Sequence, residues 1–277
     1  METGRSIRNK PRASTRRVCL ALAVFGLALV ALAAVLLVDK RAERDGTATA
    51  ASFPAAKAAP AAARSGPRST RLAVRPPAGA SAALFVKNGH HVPVRTAPAG
   101  GSLVKDVGRA TAWGSRTTFS VVAVRAGWAQ VVTPYLPNGQ YGWVKLDRRR
   151  LGEYADYWAI DVDLSARRAT VLRAGRPFRS FPVSIGAPGT DTPVGRFALT
   201  DTFRGQLASW YGCCALALSA HQPNVPSGWL GGNRIAIHGT FEPVGYAISH
   251  GCVRAANADV SALVSHVPVG TPVVIHE

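Results

Sequence analysis

Acidic residues are scarce and cysteines are few in this chain of 277 residues, which has 15 Asp plus Glu and four Cys. Four cysteines in such a length exclude a small secreted scaffold stapled by disulfides. Neither a CxxC pair nor an HExxH string occurs, so the commonest zinc signatures are missing. Charged residues make up only 17% of the chain. Against these absences stands a hydrophobic fraction of 47%, enough to build packed cores and too much for a wholly disordered chain. The length itself predicts more than one domain.

The imbalance of charge is regional. The excess of Lys and Arg over Asp and Glu is +10 in residues 1–80, +8 in 81–150 and zero in 151–277, for a total of +18. A nucleic-acid enzyme places its positive charge around its chemistry, and here the C-terminal region is neutral, so no nucleic-acid partner is expected. The basic N-terminal portion suits contact with an anionic wall polymer or lipid, or simply solubility.

Val18 to Val38 is an apolar run without a single charge, about 31 Å as a helix and enough to cross a bilayer. Arg5, Arg8, Lys10, Arg12, Arg16 and Arg17 precede it, and mixed charges follow from Asp39 to Asp45. The positive-inside rule then keeps residues 1–17 in the cytoplasm as a basic tail and exports the rest. A cleaved signal peptide is the competing reading, although the run is longer than a usual signal core. Residues 39–84 are rich in Ala and Pro and read as an extended tether. The expected location is the cell membrane, with everything after the segment 18–38 outside it.

From 85 to 150 short β-prone runs alternate with turn residues, and Asn138-Gly139 is a hairpin signal. A small barrel is expected. The strings Val94-Arg95-Thr96-Ala97-Pro98, Gly127-Trp128 and Gly142-Trp143-Val144 resemble the bacterial Src-homology-3-like domain that is often appended to wall enzymes. Trp128 and Trp143 are expected in its core.

Residues 155–277 read as antiparallel sheet: WAIDVDL and ATVLRAG joined at Ser165 to Arg168, then SFPVSIG, GRFALTDTF, Ile235 to His238 and a closing strand Pro272 to His276. One main helix is expected after Asn257 as N-cap, with Val260, Leu263 and Val264 on its apolar face. The fold class is thus mostly β: an N-terminal membrane helix, a small barrel, then a β-rich domain with one main helix.

Within that last domain, IHGTFEPVGYAISHGCVRAANAD (237–259) gathers His238, Gly239, Ser249, His250, Gly251 and Cys252. A thiol nucleophile needs a base, an acceptor that orients the base, and backbone N–H donors where an oxyanion develops. This segment supplies all three, with the amides of Gly251 and Cys252 as donors. Two His and one Cys could instead bind zinc, but a fourth ligand at a familiar spacing is missing, and a buried cysteine can also be inert. No cofactor and no metal are expected.

The same string resembles the signature of the L,D-transpeptidase (YkuD-type) catalytic domain. The resemblance rests on His238-Gly239, on Ser249-His250-Gly251-Cys252 followed by Val253 and Arg254, on Thr192-Pro193-Val194-Gly195-Arg196-Phe197, on Asn257 and Asp259, and on Gly270-Thr271-Pro272-Val273. It implies attack on a peptidoglycan stem peptide at the third residue's carbonyl, release of D-Ala, and a thioester that an amine of a neighbouring stem resolves as a 3-to-3 cross-link. It assigns Cys252 as nucleophile and His238 as proton acceptor, with the Gly239 carbonyl as orienter and the amides around His250, Gly251 and Cys252 as the oxyanion hole. Ser249 and Arg254 join the substrate-binding set, Arg254 as a carboxylate contact or a brace.

Residues 204–233 read as a Gly- and aromatic-rich insertion including a lid, so Trp210, Tyr211 and Trp229 are candidate substrate contacts. The adjacent Cys213 and Cys214 could bond each other, exchange with Cys252, or remain buried thiols, and the last is the reading preferred from sequence. Two other functions stay open: a carboxypeptidase that passes the acyl group to water, and a non-catalytic scaffold that binds wall polymer.

Overall fold

The computed structural model describes residues 76–205, 207–228 and 232–277. The segments read as basic tail, membrane span and most of the tether lie outside the described residues, as does Trp229. Among the described residues, no helix is long and apolar enough to cross a membrane.

Seven strands form the first sheet: β1 (Ser81–Val86), β2 (Val92–Arg95), β3 (Leu103–Val107), β4 (Thr118–Arg125), β5 (Trp128–Val131), β6 (Gly142–Lys145) and β7 (Leu151–Asp156), in the order β3-β2-β6-β5-β4-β1-β7. Alternation decides what faces inward. Ala129, Val131 and Val144 pack in the core with Leu84, Val94 and Phe119. Trp128 and Trp143 hold the opposite parity, so both are half-buried rather than core residues, contrary to expectation. The sheet also begins at Ser81, inside the stretch read as tether, and extends to Asp156 through β7.

Asn138-Gly139 forms a turn, closed by the Gln140 N–H on the Pro137 carbonyl at 3.1 Å, but not a tight two-residue hairpin. β5 and β6 are indeed neighbours, but a long loop joins them. Asn138 instead uses its carboxamide outward, donating to the His221 carbonyl at 2.7 Å and accepting the His221 N–H at 2.9 Å. The tight two-residue turn falls at Ala126-Gly127, both with positive φ (48° and 81°), between the paired Arg125 and Trp128.

The second sheet has eight strands: β8 (Trp158–Asp163), β9 (Arg168–Arg173), β10 (Arg176–Pro182), β12 (Gly195–Arg204), β13 (Cys214–His221), β14 (Arg234–Thr240), β16 (Val253–Ala256) and β17 (Pro272–His276), ordered β10-β9-β8-β17-β12-β13-β14-β16. A short parallel pair, β11 (Ile185–Gly186) with β15 (Ala247–Ser249), stands apart from it. The single α-helix among the described residues, α1 (Asn257–His266), places Val260, Leu263 and Val264 in the core. Its cap is Ala256, not Asn257, and no side chain caps it. Asp259 in the first turn suits the positive helix end and pairs with Arg179 at 2.8 Å.

β13 corrects the reading of 204–233 as an insertion. CALALSAH is a central strand between β12 and β14, buried on both faces, and such a strand shows no polar alternation. Cys213 and Cys214, just at its start, are joined as a vicinal disulfide rather than left as buried thiols.

Residues 66–277 cluster as one unit, and polar side chains tie the two sheets together. The Thr271 hydroxyl donates to the buried Asp156 carboxylate at 2.7 Å, and the Tyr154 hydroxyl donates to the Val269 carbonyl at 2.5 Å. Burial pushes the Asp156 carboxyl up, opposed by the bonds from Thr271 and the Trp158 N–H.

Candidate active site

β14 and β16 run parallel as neighbours, in a register that sets Ile237 opposite Val253 and His238 opposite Arg254. Cys252 immediately precedes β16, so it lies beside Ala236 and shares the side-chain parity of Ala236 and His238. A strand-end thiol and a mid-strand imidazole are therefore placed on one face by ladder pairing alone. His238, Cys252, Arg254, Tyr211 and the exposed His250 line one cleft, with Trp210 at its rim, 63% exposed.

His238 is buried, and its Nδ1 lies 2.8 Å from the Gly239 carbonyl. A carbonyl only accepts, so Nδ1 carries the proton and Nε2 of the neutral ring is left with its lone pair. Burial lowers the ring's pKa to about 4, opposed by the Gly239 bond and reinforced by the positive charge of Arg254. The Cys252 thiol is pushed up by its own enclosure, and a hydrogen bond with the Ala236 backbone and the charge of Arg254 pull it back in part. Burial thus favours the neutral form of both side chains.

The loop carrying Cys252 is fastened from several sides. Ser249 is fully buried at the cleft's lining, and its hydroxyl donates to the Cys252 carbonyl at 2.6 Å and accepts the Gly251 N–H at 3.1 Å. That second bond commits the Gly251 amide, which sequence reasoning assigned to an oxyanion. The Thr192 hydroxyl donates to the Gly251 carbonyl and accepts the Gly186 N–H, both at 2.9 Å. The Gln222 amide donates to the carbonyls of Thr190, Asp191 and His250 at 3.0–3.2 Å. Gly251 needs its missing side chain twice over, since φ is +103° and a Cβ would stand 2.2 Å from Gln222 Nε2.

Arg254 donates to the Glu242 carboxylate at 2.8 Å while its Nε is buried without a hydrogen-bond partner. Asn257 accepts the Cys213 N–H at 2.9 Å through its side chain, which is why it does not cap α1. Gln222 was missed from sequence, because its partners lie some thirty residues away and no local pattern marks it.

A model of the L,D-transpeptidase catalytic domain, YkuD, matches residues 157–275. YkuD of Bacillus subtilis, assigned as an L,D-transpeptidase, is 32% identical over 125 residues, covering 44% of this chain and 68% of that protein. The chain belongs to the YkuD family of L,D-transpeptidases. YbiS of Escherichia coli, assigned likewise, is 34% identical over 108 residues, and the chain spans only 35% of it. A crystal structure of an L,D-transpeptidase from Xylanimonas cellulosilytica aligns with 43% of this chain and 60% of that one at 26% identity and a TM-score of 0.33. The family match begins at Tyr157, so it takes in the second sheet and leaves the first outside.

Proposed function

We propose that the chain is a peptidoglycan L,D-transpeptidase working through a cysteine acyl-enzyme. The observation that carries this reading is the His238 tautomer, protonated on Nδ1 toward Gly239, on the same face as Cys252 across a parallel ladder. As the Cys252 sulfur attacks the carbonyl of the third stem residue, Nε2 takes the thiol proton. The tetrahedral oxyanion collapses with that proton passing to the leaving D-Ala amine, and a thioester remains. A side-chain amine of a second stem then attacks the thioester, loses its proton to Nε2 and returns the thiol, forming a 3-to-3 cross-link.

Enclosure of both reacting groups makes proton transfer part of the attack rather than a prior step, and it keeps the resting thiol unreactive. Arg254, held by Glu242 beside both groups, braces the cleft and supplies positive charge near the developing anion. Trp210, Tyr211 and His250 are the substrate-facing side chains of the cleft. In this reading the segment 18–38 holds the chain in the membrane, with the catalytic domain outside. The sheet of 81–156 is a Src-homology-3-like module that turns its net positive charge, +6 over those residues, toward anionic wall polymer.

Intact-mass analysis after incubation with a carbapenem tests the chemistry. One adduct is expected on the full chain and none on Cys252→Ala; adduct on that variant, or none on either, refutes it. Peptide products formed with and without an acceptor stem separate cross-linking from hydrolysis by water.

A further inference from the structure

A second cavity, of about 100 Å3 and open to solvent at its mouth, lies where the two sheets meet. The first sheet contributes Trp113, Thr117, Phe119 and Tyr135 to its wall, and the second contributes Asp201 and Arg234. We propose that this cavity is a saccharide subsite, taking one pyranose ring of the glycan to which the stem peptide is attached. The inference rests on the transpeptidase reading above for its substrate.

The lining combines two kinds of surface. Trp113 and Tyr135 are 47% and 38% exposed, Trp113 resting at an angle against Phe203 with centroids 5.5 Å apart, and Phe119 is buried. Fixed polar groups stand between them. Asp201 is 1% exposed and accepts a hydrogen bond from the Thr111 hydroxyl. Arg234 donates through Nε to the Leu218 carbonyl at 2.9 Å and through Nη2 to the Thr200 hydroxyl at 2.8 Å, with its guanidinium 5.2 Å from the Trp113 ring centre. The two opposite charges make no direct ion pair. Thr117 is 5% exposed, and its hydroxyl has no hydrogen-bond partner among the described residues.

A buried hydroxyl without a partner, a carboxylate and a guanidinium held in place by other bonds, and part-exposed aromatic side chains form a mixed surface. A pyranose matches it: C–H groups on its flat faces lie on aromatic rings, while its hydroxyls serve as both donors and acceptors around the edge. A phosphate would match Arg234 but would meet Asp201. Position supports the same occupant, because Arg234 also lines the catalytic cleft. One side chain thus forms the partition between the sites, as a sugar and its attached peptide require.

The test titrates the full chain, in detergent, with the linear tetramer of N-acetylglucosamine and follows heat and tryptophan fluorescence. Saturable binding is expected, weakened roughly tenfold in Trp113→Ala and severalfold in Thr117→Val, with carbapenem acylation of Cys252 unchanged in both. Thr117→Val keeps the side-chain volume and covers the case in which Trp113→Ala perturbs the loop. No saturation up to about 10 mM, or binding that neither variant alters, overturns the proposal. Displacement by D-alanine but not by N-acetylglucosamine also overturns it, making the cavity a carboxylate site. Loss of the Cys252 adduct from the unaltered chain would instead strike the transpeptidase reading.

Discussion

Tyr211 presses against the His238 ring at near right angles, with centroids 5.0 Å apart and planes inclined by 72°. Tyr211 ends a 3-10 turn (Ser209–Tyr211), and the vicinal disulfide follows it after Gly212. Gly212 itself lies against the backbone of Gly239, where a Cβ would come within 2.4 Å of the Gly239 carbonyl carbon. The ring that covers His238 is therefore set by a turn that packs on Gly239 and leads directly into the disulfide.

Reducing Cys213–Cys214 is expected to loosen that cover. Carbapenem acylation of Cys252 should slow by about threefold or more in a non-thiol reductant, without a drop in melting temperature, because only a local turn is released. Cys213→Ser should reproduce the reduced rate and lose its redox dependence. Equal rates in the oxidised and reduced protein would dissociate the turn from catalysis.

Because enclosure raises the Cys252 pKa, the thiolate is not preformed at neutral pH. Alkylation by iodoacetamide should climb through the alkaline range with no plateau near pH 6 to 7, where an imidazolium–thiolate pair would already react at full rate. A neutral plateau, read by mass spectrometry of the alkylated peptide, would mean that the ion pair exists before substrate arrives.

Gln222→Leu keeps bulk but takes away the donor shared by three carbonyls of the two loops beside the nucleophile. Leaving buried acceptors unpaired should cost about 1–3 kcal/mol in chemical denaturation. Acylation should fall further than the stability loss explains, since Gln222 also backs Gly251. A variant that loses stability yet acylates at the original rate would confine Gln222 to folding.

His238 links the site to acid stability. The unfolded chain takes up a proton near the ordinary imidazole value of 6.5, whereas the folded ring resists to about 4. The depressed folded value stabilises the protein above pH 6.5, and that contribution is lost as pH falls through the window down to 4. The whole shift corresponds to about 3 kcal/mol. Denaturation curves between pH 7 and 4 should be flatter for His238→Gln than for the parent; parallel curves would show that the ring is solvated.

Where a sequence pattern was local, it named the structure well. Pro272 to His276 is β17 to the residue, and the turn at Ser165 to Arg168 separates β8 from β9. Patterns failed where a partner distant in sequence took over. Asn257 reads as a cap but serves the Cys213 amide, and Asn138 reads as a hairpin residue but serves His221. β13 escaped notice because double-sided burial erases alternation. That His238 and Cys252 line one cleft, with His238 turned to the Gly239 carbonyl, agrees with the spacing in the sequence, whereas the bonds that spend the Ser249 hydroxyl and the Gly251 amide depend on the fold of the loop.

The pairing of β14 with β16 puts the proposed proton acceptor and nucleophile in adjacent rows of one hydrogen-bonded ladder. Residues 237–240 and 253–256 pair along their length, so neither strand drifts while its neighbour keeps station. Heat or chemical injury reaching this ladder should divide the molecules into competent and dead fractions rather than slow every copy a little. Partial inactivation would then appear as a smaller titratable population turning over at an undiminished rate.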